Sequence, residues 1–90
     1  MLFMVVERFQ TRDAAAVYRR YREQGRMMPE GLKYIESWVE PDFDRCFQLM
    51  ECDDSGLFEQ WTARWEDLVD FEIVRVITSK QASEAIAPLL

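Results

Sequence analysis

Glu51, the pair Asp53 and Asp54, the thiols Cys46 and Cys52, and the polar-tipped aromatics Tyr34, Trp38, Trp61 and Trp65 are the side chains whose types and spacing could do chemistry. Glu51 ends the apolar run Arg45–Cys52, in the same alternation phase as Phe47 and Leu49. A carboxylate drawn into an apolar face has a raised pKa, as a general acid or base requires. At the rim of a sheet it is instead a solvated group that helps to position the next element. The aromatics offer large apolar walls with polar tips, suited to a flat organic ligand, and serve equally well as core or dimer interface. If a ligand binds, Tyr34, Trp38, Glu51, Trp61 and Trp65 form the candidate pocket, between the sheet and the helices.

Other chemistries are poorly served. Glu51, Asp53 and Asp54 could supply oxygen ligands to Mg²⁺ or Ca²⁺, but no Gly-punctuated ligand loop follows, and Asp53-Asp54-Ser55 reads as a helix start. The chain has no His, which argues against an imidazole-completed zinc site, a His-ligated haem and His-based catalysis. Cys46 and Cys52 lie on one extended run, so their Cα atoms should be roughly 20 Å apart, beyond disulfide reach. Buried, reduced thiols are expected. There is no Gly-rich phosphate loop and no nucleophile–base pair, so no cofactor is expected.

The 90 residues make one domain with a thin core, to which association would add burial. A composition of 49% hydrophobic and 31% charged residues excludes disorder, and three Gly and three Pro leave little room for long loops. The net charge of −6 repels phosphate backbones and anionic lipid surfaces, so neither nucleic acid nor membrane is an expected partner. Glu7 and Arg8 end the apolar stretch Leu2–Val6 too early for a membrane span or a signal-peptide core, and the chain reads as cytoplasmic.

The elements that must position these residues follow from periodicity. The run Leu2 to Phe9 predicts a strand with Phe3, Val5 and Phe9 on one face and Leu2, Met4 and Val6 on the other. Thr11 or Asp13 can cap a helix with the stripe Ala14, Val17, Tyr18 and Tyr21, ended by Gly25. Arg19, Arg20, Arg22 and Arg26 near its end are a dipole-favoured solvated cluster or an anion-binding patch. Leu32–Glu40 predicts a second strand with Leu32, Tyr34 and Trp38 on one face and Ile35 and Val39 on the other. A type I turn centred on Pro41-Asp42 joins it in a hairpin to Arg45–Cys52. That third strand is apolar on both faces, so it is expected at the centre of the sheet.

Leu57, Phe58, Trp61, Trp65 and Leu68 predict a second helix, with Gln60, Arg64 and Asp67 opposite. Val69–Thr78 predicts a fourth strand, and the tail from Ser79 a short terminal helix. The expectation is an α+β, ferredoxin-like βαββαβ domain over residues 1–78 with a tail over 79–90. Its four-stranded antiparallel sheet carries two helices on one face. Since the strands are apolar on both faces, a second copy, packed sheet to sheet, is the simplest cover for the other face.

The residues Arg26-Met27-Met28-Pro29-Glu30-Gly31-Leu32, Ser37-Trp38, Cys46 through Glu51, and Trp61 through Trp65 into Asp67-Leu68-Val69-Asp70-Phe71-Glu72 resemble a family of short bacterial proteins of unknown function, DUF3303. The resemblance implies the dimeric α+β-barrel superfamily, and it brings no reaction and no catalytic residues. That superfamily includes cofactor-independent monooxygenases, muconolactone-isomerase-like enzymes, haem-binding proteins and stress-responsive dimers, and fold alone does not choose among them. The RNA-recognition module shares the element order, but its third strand is Gly- and aromatic-rich and basic, unlike Arg45–Cys52 here. Two readings stand: a non-catalytic homodimer acting through association or binding of a small hydrophobic or aromatic molecule, and a cofactor-independent monooxygenase-like or isomerase-like enzyme on such a metabolite.

Overall fold

The computed structural model describes Met1–Leu90. Strands β1 (Leu2–Phe9), β2 (Lys33–Val39), β3 (Arg45–Glu51) and β4 (Val69–Val76) form one antiparallel sheet in the order β2-β3-β1-β4. Helices α1 (Ala14–Gln24) and α2 (Leu57–Thr62) lie on one face, and α3 (Ser79–Ile86) follows β4. This is the expected ferredoxin-like α+β order with a helical tail. The doubly apolar β3 is central, flanked by β2 and β1.

Local chemistry sets the boundaries. Of the two candidate caps for α1, Asp13 is the one used, its Oδ1 accepting the Ala16 amide at 3.1 Å. Gly25, at φ +69°, ends the helix and donates its N–H to the Tyr21 carbonyl at 2.7 Å. In the β2–β3 turn the Phe43 N–H donates to the Glu40 carbonyl at 2.8 Å across Pro41-Asp42, and Arg45 Nε donates to Glu40 Oε1 at 2.6 Å to close its base. Asp54 opens α2 not as its cap but through an Asx turn, accepting the Gly56 amide at 2.9 Å.

The core lies between the helices and the face carrying Phe3, Val5, Phe9, Cys46, Met50 and Val69, with Phe58, Trp61 and Trp65 over them. Val5 and Met50 are wholly inaccessible, and the Phe58 ring meets Phe3 edge-on at 4.9 Å. Both cysteines are free and buried.

Two expectations need correction. The second helix ends at Thr62, not Leu68: from there the bonds tighten to i→i−3, Arg64 N–H to Trp61 carbonyl and Trp65 N–H to Thr62 carbonyl. Strand β2 does not alternate evenly. A bulge at Ile35 shifts the register between Tyr34 and Glu36, so Tyr34, Ser37 and Val39 share the helix face while Trp38 turns to the open face beside Phe47. One extra residue reverses the side of everything after it.

The tail is a true helix. Thr78 Oγ1 accepts the Gln81 amide at 3.1 Å and Gln81 Oε1 accepts the Thr78 amide at 2.9 Å, a complete capping box. None of its residues is buried. The radius of gyration is accordingly 15.0 Å, against about 12 Å for a compact domain of this length.

Trp61→Ala is expected to destabilise by roughly 3 to 5 kcal/mol, as for removal of a large aromatic from a packed core. Exposed Gln60→Ala should be near neutral. Gly31 sits at φ +94° with a Cβ position 3.1 Å from Leu57 Cδ1, so Gly31→Ala should cost more than about 1 kcal/mol. Urea midpoints of the three variants check this ordering.

Candidate functional site

The inward face of β1 runs Phe3, Val5, Glu7, Phe9, and that of β3 runs Cys46, Gln48, Met50. Glu7 and Gln48 thus fall in the buried phase of the two central strands, with only 6% and 7% of their surfaces exposed. Cys46 lies directly across the ladder from Glu7. Gln48 Nε2 donates to Glu7 Oε1 at 2.8 Å, whereas Gln48 Oε1 accepts no hydrogen bond.

A cavity of about 150 Å³ opens beside this pair, beneath α1 and the segment that joins it to β2. Glu7, Gln48, Cys46 and Ser37 supply its polar floor, and Phe9, Val17, Val39, Trp61 and Trp65 its apolar walls. Tyr18, Tyr21 and Arg26 stand at the side of α1 and the following loop. This combination of apolar walls with a few convergent polar groups is what small-molecule sites are made of.

Desolvation by burial pushes the Glu7 carboxyl above its usual range, against the opposing effects of the Gln48 and Cys46 hydrogen bonds and the Arg26 charge. Burial first, and then the neighbouring Glu7, push the Cys46 thiol to about 12, so it remains a protonated donor and not a nucleophile. The Tyr18 phenol is raised too, by burial and by the negative charge that Cys46 and Glu7 could carry.

Arg26 organises the rim. Its guanidinium carbon lies 3.7 Å from the centroid of Tyr34 and 5.0 Å from that of Tyr21, whose hydroxyl accepts from Nη1 at 3.2 Å. Its backbone carbonyl accepts both indole N–H groups, from Trp61 at 2.9 Å and Trp65 at 3.0 Å. Tyr34 Oη and Ser37 Oγ hydrogen-bond at 2.6 Å. Of the other arginines near the end of α1, Arg20 is paired, both its Nη atoms donating to the Asp67 carboxylate at 2.7 Å.

The residues singled out in the sequence divide between the two faces of the sheet. Trp61 and Trp65 line the cavity, and Tyr34 lies on the same face under Arg26. Trp38, 52% exposed, is on the open face because of the bulge. Glu51 is exposed on that open face too, in phase with Phe47 and Leu49 and opposite Leu2 and Lys33. These five residues therefore do not converge on one pocket. Glu51, Asp53 and Asp54 do not come together either: no three Cys, Asp or Glu side chains converge anywhere in the chain.

The carboxylate inside the cavity is Glu7, which sequence reasoning passed over as the charge that ends an apolar run. The signal was present. Glu7 stands in phase with Phe3, Val5 and Phe9, as Gln48 does with Cys46, Met50 and Cys52.

An antiparallel sheet in the order β2-β3-β1-β4, with helices on one face and a buried polar pair beneath them, defines an α+β protein of ferredoxin-like topology with a partly open cavity between sheet and helices. The chain belongs to the family described as "Domain of unknown function (DUF3303)", which matches residues 1–90. No curated protein matches the chain. No solved structure matches it. No helix is long and apolar enough to cross a membrane.

The raised Glu7 pKa fixes a direction for stability. The folded state holds this proton more tightly than the unfolded chain, whose Glu titrates near the ordinary 4.5. Glu7's contribution is therefore most favourable below that value and declines as pH rises through the folded pKa. Glu7→Gln keeps an acceptor for Gln48 and removes the charge. It should be more stable than the parent at pH 8, with the gap closing towards pH 4 in urea midpoints; parallel pH profiles would contradict the assignment.

Proposed function

We propose that the protein is a homodimeric small-molecule-binding module, each subunit holding its ligand in the cavity between the sheet and the helices. The observation that carries binding is the Glu7–Gln48 pair: two polar side chains enclosed among aromatic walls, one of them with an unpaired acceptor. A purely structural core gains nothing from this arrangement, because burying an unpaired acceptor costs about 1–3 kcal/mol that apolar residues would avoid.

The other sheet face supports the dimer. Met4, Val6, Trp38, Phe47, Leu49 and Val74 lie on it with no helix above them. The accessible surface is 6201 Å², whereas a compact monomer of this mass shows about 5,500 Å². A second copy, packed sheet to sheet as in the dimeric α+β-barrel superfamily, would cover this face, and the projecting α3 with Ile86, Leu89 and Leu90 is free to reach across it. Buried reduced thiols suit a cytoplasmic setting.

The enzymatic reading keeps one specific support. Glu7 is a desolvated carboxyl beside an aromatic-walled cavity, the environment in which a carboxylate acts as a proton acceptor for an isomerase-like step on an aromatic or hydrophobic metabolite. Binding is the simpler reading, since the Cys46 thiol stays protonated and no second proton-transfer group contacts Glu7 beyond it.

Light scattering of the eluting protein should give twice the chain mass at micromolar concentration, and Phe47→Asp should halve it by placing a charge in the sheet-to-sheet contact. A parent that elutes as a monomer at all concentrations would overturn the dimer. For the cavity, quenching of indole fluorescence by small aromatic compounds should saturate in the parent and weaken in Trp65→Ala.

A further inference from the structure

We infer that the cavity takes an uncharged single-ring aromatic molecule carrying one hydrogen-bond donor, an O–H or N–H, which it presents to Gln48 Oε1. The inference rests on the cavity being a binding site and adds the class of ligand.

Size sets the first limit. The cavity measures about 150 Å³, and an apolar cavity of about that volume accommodates one benzene ring. Its walls are flat or branched apolar groups, Phe9, Trp61 and Trp65 with Val17 and Val39, against which a ring face or edge packs.

Polarity sets the second. Gln48 Nε2 is committed to Glu7 Oε1 at 2.8 Å, and because the amide is planar that bond fixes the direction of Oε1. Oε1 has under 1 Å² of accessible surface and accepts from no group of the protein, so a donor reaches it only as the side chains over it give way. Native interiors seldom leave such an acceptor unpaired, so the group missing from the site is a donor. Tyr18 and Tyr21, beside the cavity, are 41% and 42% exposed, so their side chains can turn aside as a ligand enters.

Charge sets the third. The Arg26 guanidinium lines the same cavity and repels a cation. A carboxylate at the floor would bring only acceptors to face Gln48 Oε1 and the Glu7 carboxyl. A neutral hydroxyl or N–H on a ring meets neither penalty and pairs the free acceptor.

The probes are phenol, toluene, benzylamine and benzaldehyde, titrated into the full-length protein at neutral pH. The indole N–H resonances of Trp61 and Trp65 report on the cavity, and that of Trp38 on the opposite face. Phenol should bind at least tenfold more tightly than toluene, the scale of one hydrogen bond to a buried acceptor. In Gln48→Met that preference should vanish while toluene affinity is kept. Equal affinities for phenol and toluene in the parent overturn the donor inference and leave the binding site standing. Tighter binding of benzylamine overturns it in favour of an ionised Glu7 that recognises cations, and tighter binding of benzaldehyde in favour of a donor at the floor. If no ring shifts the Trp61 and Trp65 resonances, the reading of the cavity as a binding site falls as well. Should Gln48→Met fail to fold, the ranking of the four probes in the parent decides.

Discussion

The carbonyl of Arg26 accepts two indole N–H groups, and much of the site depends on that single oxygen. Trp61 and Trp65 are 2% and 5% exposed, and a buried indole needs an acceptor for its one donor. The two lone pairs of one carbonyl answer both. Arg64 adds a further bond to the neighbouring Met27 carbonyl, so three side chains from the α2 region hold the segment after α1. Met27 takes a left-handed conformation at φ +58° within that segment, an unusual choice for a non-glycine residue that the surrounding bonds hold in place. The stacking of Arg26 on Tyr34 and Tyr21 follows from where its backbone has been fixed.

Beneath this rim the two central strands depart from the simple economy of a core. Position 7 of β1 and position 48 of β3 lie in inward registers whose other occupants are Phe3, Val5, Phe9, Cys46 and Met50. Apolar residues there would remove a desolvated carboxyl and an unpaired acceptor together. Local rules are broken where a structure serves something other than its own stability, and here two breaks coincide beside the cavity. The neighbouring thiol supports the same environment, since Cys46 is held protonated by burial and by Glu7.

The sheet separates this site from the surface proposed for association. Alternation along β1 and β3 sends Glu7 and Gln48 to one side and Val6, Phe47 and Leu49 to the other. Ligand and partner would therefore approach opposite faces of the same two strands. The bulge at Ile35 sharpens the division. It keeps Tyr34 and Ser37 with the cavity while giving Trp38 to the open face, so each face receives aromatic surface from β2.

Sequence alone determined the element order, the central place of β3, the hairpin turn at Pro41-Asp42 and the end of α1 at Gly25, because each is a local signal: periodicity, turn chemistry or a conformation that glycine adopts freely. It also contained the inward phase of Glu7 and Gln48, although neither residue suggests a partner until the two strands are paired. Tertiary structure decided the rest. The register between β1 and β3 brought together residues 41 positions apart in the chain, and neither sequence segment encodes that register by itself. The bulge in β2 has no Gly or Pro to announce it, and it moved Trp38 away from the pocket that even alternation would have given it. The early end of α2 likewise departs from a helical pattern that reads unbroken to Leu68, in the stretch whose two indoles converge on the Arg26 carbonyl.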